Sequence, residues 1–143
     1  MPKIILPTRV LSSVKKLAQK EYPYECCGLL IGSHEQQNIH VIRHVWSKNV
    51  TQADRSKNFE IDPRVRLEVM RSLKSSPTLS IIGHYHSHPD RPAIPSPKDH
   101  LMAYEPELIW VIISVSVSSC KEVFAFKFSE VQQEFLLVPI QTY

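Results

Sequence analysis

Two histidines, His86 and His88, stand two positions apart in the stretch Gly83-His84-Tyr85-His86-Ser87-His88-Pro89. On an extended strand, residues two apart face the same side, so both imidazoles can reach one ion. Zinc takes imidazole nitrogens and carboxylate oxygens, and a catalytic zinc site keeps about three protein ligands and an open position. Asp99 follows beyond a loop carrying Pro89, Pro92, Pro95 and Pro97. It can supply the third ligand, and the prolines reduce the entropy lost on ordering that loop. Hydrolysis also needs a base for the attacking water. Glu25 is the best candidate, because it opens an apolar segment where a carboxylate needs a reason to be. Ser96 can donate a hydrogen bond to a developing oxyanion.

Each residue also has an ordinary reading. Ser96-Pro97-Lys98-Asp99 is a helix start, with serine at the N-cap, proline in the first turn and an acid at the third position. A His-x-His pair is often not a ligand pair, and Glu25 alone is an ordinary surface carboxylate. The combination and its order outweigh the separate readings. His84 shares the strand face of His86 and His88, but three consecutive same-face residues on a straight strand span too far to surround one ion, so it reads as a pocket wall. His100 reads as exposed on the short helix. His40 and His44 lack the glutamate of a His-Glu-x-x-His helix and read as strand residues.

The elements that must carry these groups follow from periodicity and breakers. Ile4 to Leu6 can open a sheet. Thr8 to Tyr22 keeps helical spacing at Val10, Val14, Leu17 and Ala18 and ends before Pro23. Cys27 to Ile31 and Ile39 to Trp46 read as strands, Asn49 to Lys57 as a polar connection and Asn58 to Ile61 as a short strand. Asp62-Pro63 starts a helix that runs to about Lys74. Leu79 to His86 reads as a central strand, Pro97 to about Tyr104 as a short helix, and Leu108 to Val117 as a strand. Val123 to Phe128 and Phe135 to Val138 read as a hairpin. This order predicts an α+β fold: a single curved mixed sheet flanked by helices, formed by one domain over residues 1–143.

Composition narrows the classes. The chain has 143 residues, 43% of them hydrophobic, and a formal charge of +3. One domain of this size can bury a substantial core. No run approaches the ~20 apolar residues of a membrane helix, and the first residues are too short an apolar run for a signal peptide. A cytoplasmic protein with no membrane partner is expected. The basic residues are scattered and form no patch of the kind that marks nucleic-acid binding. Three cysteines, Cys26, Cys27 and Cys120, are an odd number. They read as small buried hydrophobes, with Cys26 and Cys27 on opposite faces of a strand.

The pattern resembles the JAMM (MPN+, Mov34/PAD-1-like) metalloprotease family. That family's motif is an upstream glutamate, then His-x-His, seven residues beginning with proline, serine, two residues and aspartate. Glu25, His86-Ser87-His88-Pro89, Ser96 and Asp99 fit each position, and Pro23-Tyr24-Glu25-Cys26-Cys27-Gly28 and Phe59-Glu60-Ile61-Asp62-Pro63 resemble the segments around it. His84 departs from the pattern, since relatives more often carry an aromatic or apolar residue there. The resemblance runs from about Ile4 to Phe128. It implies a cytidine deaminase-like sheet architecture, one zinc ion on His86, His88 and Asp99, Glu25 as general base and Ser96 as oxyanion stabiliser.

The segments Asn49 to Lys57 and His100 to Glu107 are short. They leave little room for the insertions with which eukaryotic relatives grip ubiquitin chains, so the compact prokaryotic type is implied. Its substrate would be a ubiquitin-like sulfur-carrier protein with a Gly-Gly tail, from which residues or a cysteine beyond the diglycine are removed. A monomer or homodimer is expected. A non-catalytic scaffold and a DNA-repair-associated domain are the competing classes. The complete ligand set argues against the first, and the lack of a basic stripe against the second.

Overall fold

A computed structural model describes residues 2–143. Its elements in chain order are β1 (Ile4–Leu6), α1 (Thr8–Glu21), β2 (Cys27–Glu35), β3 (Asn38–Ser47), α2 (Pro63–Ser72), β4 (Ser80–Pro89), α3 (Pro97–Leu101), β5 (Ile109–Val115), β6 (Cys120–Ser129), β7 (Glu134–Val138) and β8 (Ile140–Thr142). All eight strands form one mixed sheet in the order β7-β6-β5-β4-β2-β3-β1-β8. The two outermost strands, β7 and β8, are separated in the chain by Pro139 alone. Strands at opposite ends of a sheet can be that close only if the sheet curls, so it is a nearly closed, curved α+β fold, as the sequence predicts. Among the described residues no helix is long and apolar enough to cross a membrane.

Alternation along the strands assigns the two faces. In β5, Ile109, Val111, Ile113 and Val115 join Val10, Val14 and Ala18 of α1 in the main core, while Trp110 and Ile112 pack with Phe126 and Phe59 on the other face. In β4 the pairing with β2 steps from Leu30↔Gly83 to Ile31↔Ile81, leaving Ile82 as the extra residue of a bulge. Beyond it Tyr85 belongs to the α1 core. His84, His86 and His88 therefore occupy the opposite face, on the side of Phe59 and Trp110. α2 lies over Leu29 and Ile31 through Val69.

The α1 face carries a partly buried polar chain: the Tyr85 hydroxyl lies 3.0 Å from His44 Nδ1, and His44 Nε2 lies 2.9 Å from Ser13 Oγ. His44 is a structural residue, as its strand position implies. Gly28 leaves room for the Tyr85 ring, because a Cβ there would overlap the Tyr85 hydroxyl and the Val45 carbonyl. Gly28→Ala is expected to cost about 1–3 kcal/mol through overpacking, read as a lower urea midpoint with an unchanged slope.

Several boundaries differ from expectation. Asn58 to Ile61 is not a strand; a single bridge joins Asn49 to Ile61. The Asn49 side chain fills the ladder's place, donating to the Asn58 carbonyl and accepting from the Glu60 amide. α1 stops at Glu21, with the Tyr22 amide closing on the Ala18 carbonyl. α2 stops at Ser72 and tightens into a 3₁₀ turn over Leu73–Ser75. α3 stops at Leu101, short of Tyr104. β2 runs on to Glu35 and turns through Gln36 and Gln37, both at positive φ. β4 extends to Pro89, so His88 lies within the strand itself. β8 carries no sequence signal strong enough to be read, having three residues directly after a proline.

Candidate metal centre

β4 delivers both histidines to one point. His86 Nε2 and His88 Nε2 are 3.0 Å apart, and Asp99 Oδ2 lies 3.4 and 3.2 Å from them. All three residues are buried. Like-facing lone pairs this close need a cation or a shared proton between them. Ligands about 2.0–2.1 Å from a tetrahedral zinc lie roughly 3.3 Å from one another, which is the spacing these three atoms already have. His88 Nδ1 donates to the Pro92 carbonyl at 2.9 Å. That bond leaves the lone pair on Nε2, facing the cluster. His86 Nδ1 is buried without a partner, and its ring is held by Phe59, stacked at 4.2 Å between centroids and 16° between planes. The three residues thus fit a metal ion and form the metal-competent His/Cys/Asp/Glu group found among the described residues.

Asp99 is aimed by its helix. The Ser96 hydroxyl accepts from the Asp99 amide at 3.1 Å while Asp99 Oδ2 accepts from the Ser96 amide at 2.8 Å, a complete capping box. The helix-start reading and the ligand reading of Ser96 to Asp99 are therefore compatible, since the cap orients the carboxylate. Burial would push the Asp99 carboxyl up. The neighbouring His86 imidazole and the hydrogen bond from the Ser96 amide instead hold it well below the usual carboxylate range. The Ser96 hydroxyl is used here as an acceptor, so its proton is free to be donated.

Glu25 reaches the same face from the approach to β2. Its amide donates to the Arg55 carbonyl at 2.8 Å, and Asn49 Nδ2 donates to its carbonyl at 3.1 Å. Next in the chain, the Cys26 amide donates to Ser87 Oγ at 2.8 Å and the Ser87 amide to the Cys26 carbonyl at 3.1 Å. These bonds tie Glu25 to the ligand strand. Its side chain is buried and ion-paired with Arg91. Burial raises the Glu25 carboxyl above its ordinary range, against the opposing pull of His86, the Arg91 hydrogen bond and His88. A cleft of about 240 Å³ opens here, with Glu25 and Asp99 in its wall together with Phe59, Lys98 and Met102.

The chain matches the family model for prokaryotic homologs of the JAB domain over residues 7–128. It belongs to this family. It is similar to the desampylase of Haloferax volcanii, 29% identical over 105 residues that cover 73% of each chain. It is also similar to the CysO-cysteine peptidase of Mycobacterium tuberculosis, 28% identical over 112 residues covering 78% of this chain and 73% of that protein. A solution structure of a protein from Desulfitobacterium hafniense superimposes with a TM-score of 0.84 at 26% identity, covering 98% of this chain and 92% of the other.

Within this JAB domain, two residues beside the cluster have roles that the sequence does not reveal, although Phe59 lies in a segment that resembles the family. Arg91 pairs with Glu25, and Phe59 stacks on His86; both contacts join segments distant in the chain. The loop holding Arg91 is pinned, since Ser114 Oγ donates to the Arg91 carbonyl at 2.7 Å, the Asp90 amide to the Val115 carbonyl at 2.8 Å, and the Tyr22 hydroxyl to Asp90 at 2.6 Å. His84 lines a neighbouring cavity, as a wall residue should. Burial pushes its imidazole down to about 3, so it stands neutral. His100 is exposed and packs edge-on to Phe135. Cys26 lies in the α1 core, whereas Cys27 Sγ faces the Ser47 carbonyl across the sheet. Burial raises both thiols well above their ordinary range, so neither is an activated nucleophile.

Proposed function

We propose that this JAB domain, a single domain over residues 1–143, is a zinc-dependent metallopeptidase that hydrolyses a peptide or isopeptide bond at the C-terminal tail of a ubiquitin-like sulfur-carrier protein, releasing residues or a cysteine beyond Gly-Gly. The observation that carries the reading is the convergence of His86, His88 and Asp99 at tetrahedral ligand spacing beside a buried carboxylate, Glu25. The similarity to a desampylase and to a CysO-cysteine peptidase supports the substrate class. The three free cysteines suit a reducing compartment, which supports the cytoplasm.

His86 and His88, through Nε2, and Asp99, through a carboxylate oxygen, would hold the zinc. When bound, zinc polarises the scissile carbonyl and lowers the pKa of water toward ~7. Glu25 takes the proton from the attacking water as the oxygen–carbon bond forms. The Ser96 hydroxyl donates to the oxyanion that the carbonyl becomes. Glu25 then passes its proton to the amine nitrogen as the carbon–nitrogen bond breaks. Arg91 keeps the Glu25 carboxylate oriented and favours its ionised form before the first of these transfers. A diglycine has no side chains to clash with the cleft walls, so an extended tail can bring its carbonyl to the metal.

The experiment is to incubate zinc-loaded protein with a carrier protein extended by one residue past Gly-Gly and to measure intact mass. Loss of the added residue, abolished by a chelator and restored by zinc, is expected. An unchanged mass with zinc bound counts against the proposed substrate.

A further inference from the structure

The metal cleft does not end at Asp99. Phe59, Glu60 and Met102 line it and also line a second cavity of about 320 Å³, so the two are neighbours that share a wall. That volume is at the lower end for ligand sites and suits one side chain with its flanking backbone. Its walls include Leu29, Ile61, Leu108 and Trp110. At its edge Arg66 and Glu105 form a two-bond ion pair with both contacts at 2.6 Å, and Glu60 adds a further carboxylate, so the rim carries net negative charge. His84 stands in the wall, its Nδ1 buried with no hydrogen-bond partner. A largely apolar pocket beside the metal cluster, with a negative rim and an unpartnered imidazole nitrogen in its wall, suits an apolar group and disfavours an anion.

Distance along the strand selects which group. His84 and His86 are two residues apart on β4, about 7 Å at strand rise, and an extended substrate advances by the same amount over two residues. With the carbonyl of the second glycine placed beside His86, a tail running back along β4 would carry its diglycine past Phe59 and Met102. The residue before the diglycine then comes level with His84.

We propose that the cavity beside His84 is a specificity subsite that takes an apolar side chain, of leucine type, at the position immediately preceding Gly-Gly in the substrate tail. This rests on the metallopeptidase reading for which residue is bound, and its test is made independent of hydrolysis. The probes are the synthetic peptides Ala-Ala-Leu-Gly-Gly and Ala-Ala-Asn-Gly-Gly, which end at the diglycine and offer no bond beyond it. Binding to the zinc-loaded protein is followed by NMR shift changes and, in a Trp46→Phe background that leaves one tryptophan, by fluorescence of Trp110. The leucine peptide is expected to bind at least tenfold tighter, the usual worth of filling an apolar pocket, with shifts at Trp110 and Leu108.

Met102 is 42% exposed at the junction of the two cavities, so Met102→Glu tests the pocket without disturbing the core. It is expected to weaken the leucine peptide severalfold and to favour a lysine counterpart, with zinc content unchanged. His84→Phe, which fills the pocket, is expected to reduce the leucine preference while zinc is retained. Equal binding of leucine and asparagine peptides, or a leucine preference untouched by both substitutions, overturns the subsite. If the leucine preference holds but no extended carrier is cleaved, the subsite stands and the peptidase reading falls.

Discussion

Glu25→Gln protein is expected to keep its zinc and its fold and to cleave an extended carrier about 10²–10⁴-fold more slowly, the usual contribution of a positioned acid–base group. Glutamine has the same shape and can still accept from Arg91 through its amide oxygen, and the guanidinium that loses its counter-charge is 31% exposed, so water can solvate it. What is lost is a group able to take a proton from water and return it to the leaving amine. The loss should fall on kcat with little change in KM, because Glu25 contributes through proton transfer and not through tail binding. A Glu25→Gln protein as active as the wild type would show that some other group is the base.

Asp99→Asn separates metal binding from helix capping. The asparagine oxygen can still accept from the Ser96 amide, which Asp99 does at 2.8 Å, so α3 should form. The cluster loses its only negative charge, and zinc content should fall to a small fraction of the wild-type value with activity lost at least as fully as in Glu25→Gln. Stability provides a second readout. A ligand present at about 1,000 times its Kd stabilises the folded state by about 4.1 kcal/mol. For a chain of this size that corresponds to a Tm shift of roughly 10 °C. A chelator should lower the wild-type Tm by about that amount and leave Asp99→Asn unmoved. Equal chelator shifts in the two proteins would place the stabilising metal elsewhere.

The parts of this centre that were legible in sequence are those fixed by local periodicity. His86 and His88 converge because a strand repeats every two residues, and Asp99 turns inward because Ser96-Pro97-Lys98-Asp99 is a capping sequence. The helix bounds near Pro23 and Pro63 follow from proline in the same local way. Contacts that span the chain left no such trace. Arg91 is one residue in a proline-rich loop until the fold sets it against Glu25, and Phe59 reads as a strand residue until it stacks on His86. The misread strand at Asn58 to Ile61 has the same origin, because a side chain more than eight positions away, Asn49, takes the hydrogen bonds that a neighbouring strand would have made. The closure of the sheet likewise depends on β8, whose three residues have too little pattern to be read alone. Their parallel pairing with β1 supplies what the local sequence lacks.

The most direct measurement is the metal content of the purified wild-type protein, determined by plasma mass spectrometry alongside its cleavage of an extended carrier before and after chelation. One zinc per chain is predicted, with cleavage lost on chelation and regained on adding zinc back. Protein that holds no metal yet trims the carrier at an undiminished rate would contradict His86, His88 and Asp99 as the reaction centre.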